Sequence, residues 1–118
     1  MQLPLIALPC PCCGFMTLQG EYGSYAVCEL CDWEDDGVQL ANPTSEGGAN
    51  RRSLAQAQEA FVNKYPAHVE LVAGSVRSKR WRPLSTEEIA NANAKKAARH
   101  WHSDAVLTES EAYWSLGI

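Results

Sequence analysis

The sequence predicts an α+β fold, with a small zinc ribbon over residues 8–45 packed with two or three helices from residues 46–118, all in one domain. Three observations predict it. Four of the five cysteines form two C-x-x-C pairs, Cys10 with Cys13 and Cys28 with Cys31, fourteen residues apart. That is the spacing of a four-thiolate metal site. Short runs of strand composition, punctuated by glycine, lie between the pairs. Beyond them, two Ser-x-x-Gln/Glu patterns mark helix starts. A chain of 118 residues, 46 % hydrophobic with four Trp and four Tyr, can build a modest core. A fold of this size gains from a metal staple.

The elements follow in order. Pro11 presets the backbone of the first cysteine turn, and Gly14 suits the positive φ in which such turns often end. Residues 15–18 and 24–27 have strand composition, with Gly20 and Gly23 between them. The order knuckle, strand, turn, strand, knuckle is that of a ribbon with rubredoxin-like knuckles and a short antiparallel sheet. Asp36-Gly37 marks a turn, and Val38 to Leu40 reads as a third strand. Residues 41–50 are loop by composition. Ser53 with Gln56 forms a capping box for a helix whose apolar face is Leu54, Ala57, Phe61, Val62 and Tyr65, ended by Pro66. Residues 67–83 suit a strand or a short helix equally. Ser85 with Glu88 opens an Ala-rich helix to about His102, with Ala90, Ala94, Ala97, Ala98 and Trp101 on one face. Thr108 with Glu111 caps a last short helix carrying Tyr113, Trp114 and Leu116.

The proposed metal ligands are Cys10, Cys13, Cys28 and Cys31. Zinc takes four sulfurs near ~2.3 Å, and two intervening residues let one tight turn aim both thiolates at one ion. Iron is the rival, since a tetrahedral four-sulfur site suits either metal. Cys12 is left over, either as a small half-buried side chain or as a ligand that exchanges with Cys10 or Cys13. A redox dithiol fits less well without a βαβ pattern nearby. No basic residue precedes the apolar run at 3–8, which Pro4 and Pro9 interrupt. Neither a signal peptide nor a membrane span is expected, and reduced thiols in a cytoplasmic protein fit better than disulfides.

Charge excludes some functions. Residues 1–50 hold seven acids and no Lys or Arg; residues 51–118 hold ten cations against seven acids. Nucleic-acid binding draws on Lys and Arg, which the ribbon lacks. A closed four-thiolate site has no open position for an activating water. His68, His100 and His102 are scattered, and no phosphate loop, H-E-x-x-H or G-x-S-x-G occurs. An enzyme is therefore not expected. The acidic run around Trp33, with Glu34, Asp35 and Asp36, is the candidate partner-binding surface: complementary charge steers encounter and Trp is a common anchor. The alternative is a solvated loop with Trp33 over the core. Arg77, Lys79, Arg80 and Arg82 around Trp81 offer a rival nucleic-acid face, or pair internally.

Read in order, Cys10-Pro-Cys-Cys-Gly14, Cys28-x-x-Cys31, Trp33-Glu-Asp-Asp-Gly37, Gly47-Gly-Ala-Asn50 and Ser53-Leu-x-x-Ala-Gln58 resemble the bacterial cysteine-rich CPCC domain family, over about residues 8–65. The resemblance implies a metal-binding fold with no known catalysis. Some small proteins of this kind accompany secreted antibacterial toxins as immunity proteins. The expected function is therefore a non-catalytic Zn2+ protein that binds a protein partner, in its sharpest form an immunity protein against a basic, nuclease-type toxin domain. The alternatives are a nucleic-acid-binding zinc ribbon and a metal-dependent redox or transfer enzyme, which has only Cys12 in its favour.

Overall fold

Each cysteine turn folds back on its own flanks, and this local pairing organises the first half of the chain. The computed structural model describes residues 6–66, 68–98 and 104–116. Strand β1 (Ala7–Leu8) pairs antiparallel with β2 (Leu18–Gln19), Leu8 opposite Leu18. Inside that pair, the Cys10 N–H donates to the Phe15 carbonyl at 2.9 Å and the Gly14 N–H to the Cys10 carbonyl at 2.7 Å. The second turn repeats the pattern: the Cys28 N–H donates to Trp33 O at 2.9 Å and the Asp32 N–H to Cys28 O at 2.8 Å. Gly14 (φ 78°) and Asp32 (φ 65°) hold equivalent left-handed positions, which glycine takes freely and Asp tolerates better than most residues.

The strand pairing differs from the one expected between the knuckles. Residues 15–18 do not pair with 24–27; β2 returns to β1, and Val27 makes a single bridge to Glu34. The reason is local. A knuckle reverses the chain within five residues, so each flank's nearest partner is the other flank of the same turn. The expected strand at Val38 to Leu40 is instead helix α1 (Gly37–Ala41), because Asp36 caps it, its Oδ1 accepting from Val38 N at 2.9 Å and Gln39 N at 3.0 Å.

Helix α2 (Leu54–Val62) begins with the expected Ser53–Gln56 capping box and buries Leu54, Gln58 and Phe61, whereas Val62 is exposed. The ambiguous stretch is a hairpin, β3 (Leu71–Val72) with β4 (Ser75–Val76), turned by Ala73 and Gly74 at φ 50° and 85°. Two left-handed central residues make the tight turn whose twist matches its strands. Helix α3 (Thr86–Ala98) starts at the Ser85–Glu88 box, but none of its residues is buried. Its predicted alanine face therefore does not pack, and Trp101, His100 and His102 lie outside the described residues. The last segment makes two 3-10 turns, Glu109–Glu111 and Tyr113–Ser115, in place of a helix.

The described elements comprise three α-helices and two small antiparallel sheets. The core joins the knuckle end to the C-terminal segment: Leu8, Phe15, Leu18, Tyr22, Trp33, Leu54, Ala112 and Trp114 are buried together. Tyr22 meets Trp114 edge-to-face at 6.1 Å, and its hydroxyl donates to Pro9 O at 2.6 Å. Backbone bonds Tyr22 N to Leu107 O and Val106 N to Gly37 O lace the C-terminal segment onto the first half of the chain.

Candidate metal centre

The two knuckles face each other and bring four sulfurs together. The Sγ atoms of Cys10, Cys13, Cys28 and Cys31 all lie within 4.8 Å of one another. Cys10 to Cys31 is 3.6 Å and Cys13 to Cys28 is 3.8 Å. A tetrahedron with metal–sulfur bonds of ~2.3 Å has sulfur–sulfur edges of about 3.8 Å, so these four positions suit a metal ion and are consistent with zinc. Cys10, Cys13 and Cys28 are buried and Cys31 is half-buried; all five thiols are free of disulfides. Cys12 is buried outside the four-sulfur cluster, as the two-residue spacing of Cys10 and Cys13 implies.

Burial pushes the Cys10 thiol well above its ordinary range, while hydrogen bonds from Cys10, then Cys13 and Cys31, pull Cys28 far below it. A bound cation would favour the thiolate state of all four. The Thr17 hydroxyl donates to Cys28 Sγ at 3.0 Å, an outer bond of the kind that orients a ligand.

The second half of the chain clamps the first knuckle. Trp81 Nε1 and Gln58 Nε2 both donate to Pro11 O, at 3.0 and 2.9 Å. Gln58 also accepts from Leu84 N at 2.9 Å and donates to the Tyr113 hydroxyl at 2.8 Å. Arg77 is buried and reaches four carbonyls: Cys13 O at 2.8 Å, Pro66 O at 2.6 Å, Val69 O at 3.0 Å and Tyr65 O at 3.2 Å. Its guanidinium lies 4.5 Å from the Phe15 ring centroid and 5.6 Å from that of Trp81. Among the described residues no carboxylate pairs with it; burial lowers its pKa, and the neighbouring Cys13 partly opposes that. A divalent metal held by four thiolates would carry two formal negative charges, which this buried cation would partly offset. Gly14 sits beneath Trp81, where an added Cβ would lie 2.3 Å from the ring.

Most of the expected acidic patch is buried. Of Trp33, Glu34, Asp35 and Asp36, only Glu34 is even half-exposed. Asp35 is 1 % exposed, and its carboxylate accepts from Gly23 N, Ser24 N and the Ser24 hydroxyl. Asp36 caps α1 and also accepts from Ala49 N at 2.9 Å. Trp33 is core, with its indole N–H buried and without a partner. Acids become buried where backbone N–H groups converge on them, as at a cap or a tight loop. Sequence reasoning missed Gln39 and Asn50, which complete this layer. Asn50 bonds both Glu34 N and Glu34 O through its side chain, standing in for a strand partner. Gln39 Nε2 donates to the carbonyls of Ser45, Asn50 and Arg52. Gly48 leaves room for it, since a Cβ there would lie 2.8 Å from Gln39 and Asp36. The signal was present in the Gly47-Gly-Ala-Asn50 motif, whose use is invisible without its partners.

The basic run is engaged internally. Arg77 is buried as described; Arg80 forks onto Glu109 at 2.9 and 3.1 Å, and Arg82 onto Glu88 at 2.7 and 2.9 Å.

The model of the cysteine-rich CPCC family matches residues 8–82. The chain belongs to that family. No curated protein matches it. The CPCC match runs past the two knuckles to Arg82, so it takes in Gln58, Arg77 and Trp81, the three side chains that clamp the first knuckle. Helix α3 and the C-terminal segment lie beyond it. No helix among the described residues is long and apolar enough to cross a membrane.

Proposed function

We propose that this CPCC protein is a non-catalytic zinc protein that works by binding another protein. The observation that carries the reading is the closed cluster of Cys10, Cys13, Cys28 and Cys31. Four thiolates fill a tetrahedral zinc and leave no position for substrate or water. Zinc here is a staple between two loops that are otherwise short of secondary structure. With catalysis set aside, what remains is a rigid surface. The exposed acids Glu29 and Asp32, with half-exposed Glu34, surround the second knuckle. Together with the negative metal–thiolate unit they favour a basic partner. The sharpest form is an immunity protein that covers the phosphate-binding surface of a bacterial nuclease toxin. Nucleic-acid binding through Arg77 to Arg82 is disfavoured, because three of those four cations already have protein partners.

The test is a titration of bacterial nuclease toxin domains with the zinc-loaded protein. The reading expects loss of nuclease activity at one-to-one stoichiometry, with slower association as salt rises. Turnover of any substrate by the protein alone, or a DNA or RNA shift lost in Lys79→Ala, would overturn it.

A further inference from the structure

A cleft of about 430 Å³ opens between the second knuckle and α2, and both Cys12 and Cys31 line it, with Trp33, Ala57 and Phe61. Cys31 is the one ligand of the four that is not fully buried. Cys12 belongs to the opposite knuckle and is a fifth thiol with no place in the four-sulfur cluster. The cleft thus brings one cysteine from each knuckle to a shared surface.

We propose that Cys31 and Cys12 form a peroxide-sensitive pair, in which oxidation of the ligand Cys31 is trapped by Cys12 as a disulfide and the metal is released. The proposal rests on the zinc reading above. A metal-bound thiolate keeps its nucleophilic lone pairs, and oxidant reaches exposed thiolates first. Cys31 sulfur attacks hydrogen peroxide: an S–O bond forms, the O–O bond breaks, and hydroxide leaves. Cys31 is now a sulfenic acid, two electrons poorer and a weak ligand. A thiol must then attack its sulfur, forming S–S and breaking S–O, with the oxygen leaving as water. Cys10 lies 3.6 Å from Cys31, but its attack would take a second ligand from the metal. Cys12 is the thiol that can react without breaking a second metal bond. With three ligands left, the site opens and zinc leaves. A thiol reductant cleaves the disulfide and restores all four sulfurs.

The experiment uses the full-length zinc-loaded protein and begins with native mass spectrometry, which reads the zinc before oxidation. Absence of zinc there counts against the metal reading, and the disulfide map still judges the pair. Hydrogen peroxide is then titrated in, zinc release is followed with a chromogenic chelator, and disulfides are mapped after alkylation. The expected product is a Cys12–Cys31 disulfide, with zinc binding regained on reduction. Cys12→Ser is expected to hold zinc before oxidation and to lose most of its recovery afterwards, because Cys31 then proceeds to sulfinic acid. A disulfide between two of the four ligands with Cys12 alkylated would overturn the proposal. So would equal recovery in wild type and Cys12→Ser. If that variant does not fold, the wild-type map decides alone.

Discussion

At the scale of single residues, the ligand set and its neighbours have separable consequences. Serine at Cys10, Cys13, Cys28 or Cys31 is expected to remove zinc and unfold the ribbon, since metal binding to such sites contributes about 10–16 kcal/mol of folding free energy at neutral pH. Cys12→Ser is expected to retain it. Native mass spectrometry with a far-ultraviolet spectrum of each variant reads both outcomes. The acidic run divides in a similar way. Asp35→Ala strands the donors at Gly23 and Ser24, at about 1–3 kcal/mol for each buried group left unpaired. Glu34→Gln changes a half-exposed side chain and is expected to shift stability by less than about 0.5 kcal/mol. Thermal melts of the two variants compare them directly. Equal melting temperatures would mean that the Asp35 carboxylate is not the anchor of its loop.

At the scale of elements, much of the fold was legible where a local rule acts alone. The box at Ser53 and Gln56 places α2, and the one at Ser85 and Glu88 places the start of α3, because each needs only four residues. The cysteine spacing likewise announced the metal site. What escaped depends on partners distant in sequence. Asp36-Gly37 is equally a turn signal or a helix cap; in the fold Asp36 caps α1, with Ala49 bonded to it and Val106 against Gly37. Arg77 to Arg82 looks like a nucleic-acid face until Glu88, Glu109 and the Cys13 carbonyl are in place. Two predictions belong here. Ala73 occupies a left-handed turn position that costs a non-glycine residue roughly 1 kcal/mol or more, so Ala73→Gly is expected to raise the melting temperature by a few degrees. Arg82 holds the Glu88 carboxylate down from 4.5 to about 2, helped by the Ser85 hydroxyl and N–H. A carboxylate depressed on folding stabilises above its ordinary pKa, and the contribution is lost as pH falls from there through about 2. Wild type minus Glu88→Gln stability, measured against pH, is therefore expected to shrink below pH 4.5 and to be small throughout, because the pair is largely solvated.

At the scale of the whole molecule, the metal knuckles and the later chain depend on each other. Arg77 ties Cys13 to the segment 65–69, Gln58 and Trp81 hold Pro11, and Trp114 packs on Tyr22. Arg77→Lys is expected to cost nearly as much as Arg77→Met, since one ammonium cannot serve four carbonyls spread around a planar fork. Denaturant melts of both variants, with zinc loaded, check this; a Lys variant as stable as wild type would remove the clamp from the account. The central claim is that four cysteine sulfurs, and nothing else, hold a zinc ion between the knuckles. X-ray absorption at the zinc edge of the purified protein tests it most directly. The account predicts four sulfur neighbours at ~2.3 Å and no nitrogen or oxygen in the first coordination sphere. An iron edge in place of zinc, or a site with three or fewer sulfurs completed by nitrogen or oxygen at about 2.0–2.2 Å, would contradict it.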